Sequence, residues 1–353
     1  AWTDGAEVCS RIETPAAPTV TDNEIANAAA VLSKPGQAVL FLGSRALRED
    51  ALFHAGRIAA ATGARLVCET LPPRVQRGIG RVAVERLPYF GELALDLLDG
   101  TAQMVFVGSK PPVSFFAYPN KPSWLSPENA ELVQLADARV DAEDTLRRLA
   151  DALGAPDAPA NVQEAIAADY EDGKLDARSA GVITAQLLPE NAIVSDEAGT
   201  SGGPFFKYIA GAAKHDWLII TGGSIGQGLP VATGAAVACP DRKVIALQAD
   251  GSGMYTLQAL WTMARENLDV TTIIMKNNSY GVLNIELGRV GAKDVGPKAL
   301  SLLDLTNPEL DWVSMSVGMG VPATRAETTQ QFREALTDAL RHKGPRLIEA
   351  VLT

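Results

Sequence analysis

The sequence predicts an α/β fold made of two doubly wound domains whose sheets are mainly parallel. Continuous apolar runs such as "AVLFLGS" and "WLIITGG" alternate with stretches of helical apolar spacing. That alternation is typical of βαβ units, in which the strands are buried on both faces. The pattern occurs in both halves of the 353-residue chain, and that length suggests about two domains.

The first half supplies the first predicted domain, residues 1–153. Its predicted strands cover 38–44, 64–69, 103–109 and 130–137, and its predicted helices cover 48–63 and 143–154. Gly63 suits the C-cap of the first of these helices. The stretch "GAPDAPAN" then opens a segment rich in Pro and Ala without periodicity, which predicts a linker over 154–175.

The second half, residues 176–353, repeats the alternation and predicts the second domain. Its predicted strands cover 192–197, 217–223, 244–250 and 270–276, and its predicted helices cover 176–188, 226–239 and 256–267. A late helix, "TTQQFREALTDALRHKG", precedes a last strand, "RLIEAVL". The helix over 226–239 is rich in Gly and Ala, so we expect it to pack very closely on its neighbours.

Composition narrows the functional classes. The formal net charge of −11 argues against a nucleic-acid partner, and no stretch reaches the length of a membrane span. Cys9, Cys68 and Cys239 are far apart and in no metal spacing, which favours reduced thiols in a cytoplasmic protein. The N-terminus shows no signal-peptide pattern and no initiator Met, so we expect the chain to begin partway through a longer one.

Four predicted strand ends are polar and mostly glycine-rich: "DEAGTSGG", "TGGSIGQG", "ADGSG" and "KNNSYG". In open parallel sheets, ligands bind beyond the carboxyl ends of the strands. Glycines let backbone N–H groups approach a ligand, and the helices that follow favour anions. Each cluster alone is ordinary turn chemistry, but together they indicate a phosphate or diphosphate site.

A cation is expected beside that diphosphate. Asp250 offers a carboxylate oxygen, Asn277 or Asn278 offers an amide oxygen, and the backbone after them offers a carbonyl. These hard oxygen ligands suit Mg²⁺, and no Cys or His accompanies them, which disfavours zinc. No Walker lysine pattern is present, which disfavours a nucleoside triphosphatase.

The order Asp-Gly-Ser, a crossover helix, then Asn-Asn resembles the signature of thiamine diphosphate enzymes. The segment "GSIGQGLPVATGAAVA" resembles their acetolactate synthase and 2-oxoacid decarboxylase branch, and the likeness to acetolactate synthase large subunits extends through "LVCET", "PVSFFAYPNKPS" and "GPKALSLLDLTNPELDW". The resemblance implies bound thiamine diphosphate and Mg²⁺. It also implies that the chain holds the middle and diphosphate-binding domains, and that the activating glutamate lies in a pyrimidine-binding domain outside it.

The resemblance assigns site residues by motif position. It implies metal ligation by Asp250, Asn277 and the carbonyl of Ser279. It implies diphosphate contacts at Gly199, Thr200, Gly251, Ser252 and Tyr280, a hold on the organic half of the cofactor at Gly223, Ser224 and Ile225, and a substrate-lining role for Val282 and Leu283. The alternative for Ile225, Val282 and Leu283 is ordinary core packing.

Two positions depart from the motif. Ala249 stands where the signature has Gly, a small change, and Lys276 stands where the first Asn is usual. We expect Lys276 to be a solvated replacement beside the site without a catalytic role. Glu197 is a weak alternative for the activating carboxylate, because by resemblance it flanks the diphosphate end. We expect His54, His215 and His342 to be structural.

The implied function is a thiamine diphosphate- and Mg-dependent 2-oxoacid decarboxylase or carboligase. The alternative is a cofactor-binding but inactive fragment or subunit that needs a separate pyrimidine-binding domain. A nucleotide-binding oxidoreductase is disfavoured, because "LFLGSRAL" supplies only one glycine. The expected partners are a small 2-oxoacid and either further copies, as a dimer or tetramer, or a chain that supplies the missing domain.

Two features stay open. The aromatic and Pro-rich loop at 112–125 either lines the active site or covers apolar surface of the middle domain. Some relatives hold a flavin (FAD) against the middle domain, but the glycine turn at Gly43 does not assign one.

Overall fold

The computed structural model describes residue 5 and residues 7–353, so residues 1–4 and 6, on which part of the N-terminal expectation rests, lie outside it. Within the described part, twelve strands form two sheets. In chain order the strands are β1 Gln37–Leu42, β2 Arg65–Cys68, β3 Val75–Arg77, β4 Glu85–Arg86, β5 Thr101–Val107, β6 Glu131–Ala136, β7 Ala192–Glu197, β8 His215–Ile219, β9 Val244–Ala249, β10 Val270–Lys276, β11 Ala323–Ala326 and β12 Arg346–Val351.

Helices lie between most of these strands. They are α1 Asp22–Leu32, α2 Glu49–Thr62, α3 Gly91–Leu98, α4 Ala142–Ala152, α5 Ala177–Leu187, α6 Gly202–Ile209, α7 Gly228–Ala238, α8 Asp250–Gly253, α9 Ala259–Arg265, α10 Gly281–Arg289, α11 Pro297–Leu300, α12 Trp312–Gly318 and α13 Thr329–Arg341. None of the helices in the described part of the chain combines the length and apolarity that a membrane crossing requires.

The strand order confirms an α/β fold with mainly parallel sheets. The first sheet has the order β4-β2-β1-β5-β6, and every pairing in it is parallel. The second has the order β11-β12-β10-β9-β7-β8-β3, and its one antiparallel pairing joins β3 to β8. All seven residues of β10 are buried, as its continuous apolar run predicts for a strand covered on both faces.

Strand β3 joins the two halves of the molecule. It belongs to the first half of the chain, yet Val75 pairs with Trp217 and Arg77 with His215 in the second sheet. Three residues without an apolar run carry no period-2 signal, so the sequence did not predict this strand. Since the first half contributes a strand to the second sheet, the boundaries at 153 and 175 remain predictions.

Two boundary differences matter for the site. The strand predicted over 217–223 ends at Ile219, because residues 221–223 turn sharply and Gly222 adopts a φ of +64°. The helix predicted over 226–239 begins at Gly228. A Cβ at Gly228 would lie 2.4 Å from Gln248 Oε1, so only glycine allows α7 to pack this closely on β9.

His215 is fully buried where β8 pairs with β3. Its burial predicts how the free energy of unfolding changes at acidic pH. Burial lowers the pKa of His215 to about 4, although its Nδ1 lies 2.8 Å from the carbonyl oxygen of Ala213. The unfolded chain takes up this proton near pH 6.5, so the free energy of unfolding should fall as pH drops from about 6.5 to 4, by at most about 3 kcal/mol.

The variant His215→Gln cannot take up that proton. In urea unfolding at pH 7, 6, 5 and 4, it should lose about 2 kcal/mol less than the unmodified chain over this range. Parallel pH curves for the two proteins would contradict the assignment.

Candidate functional site

The four polar turns lie at one edge of the second sheet. Strands β8, β7, β9 and β10 are neighbours and run parallel, so their carboxyl ends lie side by side. The register pairs Glu197 with Gln248 and Ala249 with Met275. The turns that follow these residues therefore converge, as the sequence predicts.

Asp250 is the centre of this edge. Its side chain is buried, and Oδ1 accepts a hydrogen bond from the N–H of Gly251 at 2.9 Å. Oδ2 accepts from the N–H of Asn277 at 3.1 Å and from that of Asn278 at 2.7 Å. Burial raises the pKa of Asp250 despite these three bonds. The ionised form of this buried carboxylate is therefore unfavourable, and a bound cation would stabilise it.

Two of the predicted metal ligands, Asn277 and Ser279, lie in the turn after β10, which is hydrogen-bonded to Asp250. Oδ1 of Asn277 accepts a hydrogen bond from the N–H of Ser279 at 3.0 Å. Asn278 adopts a φ of +58°, a left-handed conformation that Asn tolerates, and its buried Oδ1 has no hydrogen-bond partner among the described residues. An acceptor without a donor beside a buried carboxylate fits a cation site.

The cation site depends on more than carboxylates. In the described part of the chain, no group of three or more His, Cys, Asp and Glu side chains forms a metal cluster. A metal at Asp250 would therefore rely on amide and main-chain oxygens as well, which is the hard-ligand chemistry of Mg²⁺ and not the chemistry of zinc.

The predicted diphosphate residues also come together. Gly199 has a φ of +57°, which glycine tolerates freely. A Cβ on Gly251 would lie 2.5 Å from Cε1 of Tyr280, and a Cβ on Gly281 would lie 3.0 Å from Oγ1 of Thr200. The backbone of these turns is therefore tightly apposed to Tyr280 and Thr200 side chains.

Ser252 has a different engagement. Its Oγ accepts a hydrogen bond from Nε2 of Gln248 at 2.6 Å and donates to the carbonyl of Ala249 at 3.3 Å. The hydroxyl is thus bonded to residues of β9. The backbone N–H of Ser252 is therefore the group that would contact the diphosphate.

The turn after β8 carries Gly223, Ser224 and Ile225. Ile225 is 53% exposed, and Val282 and Leu283 are 37% and 44% exposed. The alternative of ordinary core packing is therefore wrong for all three residues. Large apolar side chains that are exposed at the edge of a site are typical of a surface that another molecule covers.

The aromatic loop at 112–125 reaches this turn. A Cβ on Gly223 would lie 2.5 Å from Cζ of Phe115. The hydroxyl of Tyr118 donates to Oε2 of Glu286 at 2.6 Å, and Glu286 lies on α10, the helix that carries Val282. The loop therefore lies against the candidate site, and it also covers apolar surface of the first half, since Leu125 packs in the core of the first sheet and the ring of Phe115 lies 5.4 Å from that of Tyr89.

Glu197 is not free to act as a base. Its Oε1 accepts from the N–H of Gly226 at 2.6 Å and its Oε2 from the N–H of Gly228 at 2.5 Å, and the residue is 4% exposed. Both carboxylate oxygens are occupied in holding a turn.

The prediction that Lys276 is solvated is wrong. Lys276 is 1% exposed, and its Nζ lies 2.6 Å from Oε1 of Glu309 and 3.0 Å from Oε1 of Glu349. Glu349 is fully buried and also accepts from Nε of Arg325 at 2.6 Å. A charged residue inside the apolar strand "RLIEAVL" was the available signal, because a buried glutamate needs a partner.

Comparison with known proteins agrees with this geometry. Residues 197–350 match the family described as thiamine pyrophosphate enzyme, C-terminal TPP binding domain. The chain is 47% identical over 352 residues to "Putative acetolactate synthase large subunit IlvX" of Mycobacterium tuberculosis H37Rv, covering 99% of this chain and 68% of that protein. It is 31% identical over 268 residues to benzoylformate decarboxylase of Pseudomonas aeruginosa, covering 72% of this chain and 49% of that protein.

Solved structures share the fold. The thiamine diphosphate-dependent 4-hydroxybenzoylformate decarboxylase of Rhodococcus jostii RHA1 superimposes with a TM-score of 0.79 at 24% identity, covering 97% of this chain and 66% of that one. Benzoylformate decarboxylase of Polynucleobacter necessarius superimposes with a TM-score of 0.75 at 20% identity, covering 99% and 67%. The chain thus spans about two thirds of the length of these proteins. The chain belongs to the thiamine pyrophosphate enzymes of acetolactate synthase and decarboxylase type.

Proposed function

We propose that the chain binds thiamine diphosphate together with Mg²⁺ and forms the middle and diphosphate-binding part of a 2-oxoacid decarboxylase or carboligase. The observation that supports this most directly is the buried carboxylate of Asp250, bonded to the N–H groups of Asn277 and Asn278. It lies at the sheet edge where ligands of doubly wound folds bind.

The donor set fits the cation and the diphosphate. Asp250, Asn277 and the carbonyl of Ser279 would hold Mg²⁺, and the backbone near Gly199 and Gly251 would hold the diphosphate. When bound, thiamine diphosphate supplies an electron sink for the loss of carbon dioxide from a 2-oxoacid.

The remaining residues orient the cofactor and exclude water. The carbonyl of Gly223 would accept a hydrogen bond from the aminopyrimidine, and the exposed side chain of Ile225 would pack against the organic half of the cofactor. Val282 and Leu283 would face the substrate, and their exposed apolar side chains would help to keep water out.

The activating carboxylate is proposed to come from elsewhere. Glu197, the one candidate that the sequence offers, is occupied by backbone bonds. The exposed apolar residues Ile225, Val282 and Leu283 support a covering subunit or domain. We propose a further copy, in a dimer or tetramer, or a partner chain that carries the pyrimidine-binding domain, and we propose a cytoplasmic location on the basis of the free cysteines.

Thermal unfolding with added ligands tests the binding step. Thiamine diphosphate with Mg²⁺ should raise the melting temperature of the chain, since a ligand at 100 times its dissociation constant adds about 2.7 kcal/mol of stability. Thiamine diphosphate with EDTA should give little or no rise. A melting temperature that stays constant with both ligands present contradicts the proposal.

Release of carbon dioxide tests the missing carboxylate. With pyruvate and longer 2-oxoacids, the chain alone should show no robust turnover, and turnover should appear when a protein with a pyrimidine-binding domain is added. Robust turnover by the chain alone would show that the activating group lies within it.

A further inference from the structure

Glu197 connects two parts of the proposed site that are separate in sequence. It is the last residue of β7, and the predicted diphosphate residue Gly199 follows two positions later. Its carboxylate accepts the N–H groups of Gly226 and Gly228 at 2.6 and 2.5 Å. The side chain of Glu197, on the strand that leads to Gly199, therefore holds the turn that begins at Gly223.

The carboxylate has no other evident purpose. Among the described residues, no cationic side chain forms an ion pair with Glu197, although the residue is 4% exposed. Its compensation comes from two backbone donors at the start of α7, where an anion is favoured. A Cβ at Gly228 would lie 2.8 Å from Oε2 of Glu197, so the turn lies directly against the carboxylate.

Two further contacts fix the same turn. The hydroxyl of Ser195, also on β7, donates to the carbonyl of Gly228 at 2.9 Å. The hydroxyl of Thr256 donates to the carbonyl of Gly226 at 2.8 Å. Gly226 itself has a φ of +94°, a conformation in which most side chains are strained.

The fixed turn explains the exposure of Ile225. This residue directly precedes Gly226, and its side chain is 53% exposed, although the burial of a large apolar side chain is favourable. The bonds to Gly226 and Gly228 hold the backbone on a path that directs the side chain outward.

We propose that Glu197 is a positioning residue, which holds the segment from Gly223 to Ile225 in register with the diphosphate turn and so sets the affinity for the organic half of the cofactor. It acts through Gly226 and Gly228 and touches no ligand atom. The inference rests on the proposed function, since it assigns the organic half of the cofactor to that segment.

The variant Glu197→Gln tests this role, because its amide keeps the shape but offers only one acceptor oxygen, so one of the two N–H groups loses its partner. Isothermal calorimetry would measure dissociation constants for thiamine diphosphate and for inorganic pyrophosphate, each with Mg²⁺. We expect thiamine diphosphate to bind at least about 10-fold more weakly and pyrophosphate to change less than about 2-fold.

Two further variants complete the test. Thr256→Val removes a single bond to the same turn and should show the same selectivity with a smaller loss, even if Glu197→Gln fails to fold. Glu190→Gln, at the exposed opposite end of β7, should change neither constant.

The outcomes separate the two ideas. Equal losses for both ligands in Glu197→Gln and in Thr256→Val, or no loss for either ligand, would overturn the positioning role alone. An unmodified chain that binds neither ligand would overturn the proposed function and this inference with it.

Discussion

Replacing Asp250 by alanine is expected to abolish the rise in melting temperature that thiamine diphosphate and Mg²⁺ give the unmodified chain. The substitution removes the carboxylate of the proposed cation site, and Asn277 and Ser279 alone offer no negative charge to a divalent ion. It also leaves the N–H groups of Gly251, Asn277 and Asn278 without their acceptor. We therefore expect the unliganded variant to lose about 1–3 kcal/mol of stability as well.

The control for this variant is Asp241→Asn. Asp241 is exposed and precedes the other end of β9, so the variant should keep the full ligand-induced rise. Differential scanning fluorimetry over a range of Mg²⁺ concentrations measures both. A normal rise in Asp250→Ala would exclude Asp250 as a metal ligand, whatever the loss of stability in the absence of ligand.

Replacing Lys276 by methionine is expected to lower the free energy of unfolding by about 3–5 kcal/mol, the usual cost of removing one partner of a buried ion pair. Methionine fills a similar volume, so the loss would come mainly from the charge. Glu349, which is fully buried, would keep only Arg325 as a cationic partner, and Glu309 would lose its contact.

A double-mutant cycle isolates the interaction. The variant Lys276→Met/Glu349→Gln removes the buried negative charge as well and should recover part of the loss, measured by urea unfolding at pH 7. A loss below about 1 kcal/mol in Lys276→Met would match an exposed ion pair and contradict the buried arrangement.

The pH dependence of this contribution has a definite sign. Burial acts to lower the pKa of Lys276, but the hydrogen bond to Glu309 and the ion pair with Glu349 outweigh it and raise the pKa above its ordinary value. A lysine with a raised pKa stabilises the fold at every pH below its unfolded value, near 10.4. Its contribution is lost only as pH rises through the folded pKa.

The sequence predicted the elements whose signal is local. Strands β7 and β10 occupy the predicted ranges, since uninterrupted apolar runs bounded by polar turns identify buried strands. The convergence of Asp250 with Asn277 followed because carboxyl ends of neighbouring parallel strands share an edge.

What the sequence did not predict depends on distant contacts. The environment of Lys276 depends on Glu349, a residue on another strand, and no local pattern pairs them. The turn that carries Ile225 depends on hydrogen bonds that the N–H groups of Gly226 and Gly228 donate to Glu197. A lysine and an isoleucine can each occur in a buried or an exposed position, and contacts with residues distant in sequence decide which.

Because β3 pairs with the second sheet, the two halves of the chain cannot be separated without disrupting that sheet. Its residues 75–77 form the outermost ladder of the second sheet against β8. Removal of the first half of the chain would remove β3. The main-chain amides and carbonyls of β8 would then be free to pair with strands of other molecules. We therefore expect these three residues of the first half to protect the second sheet from aggregation.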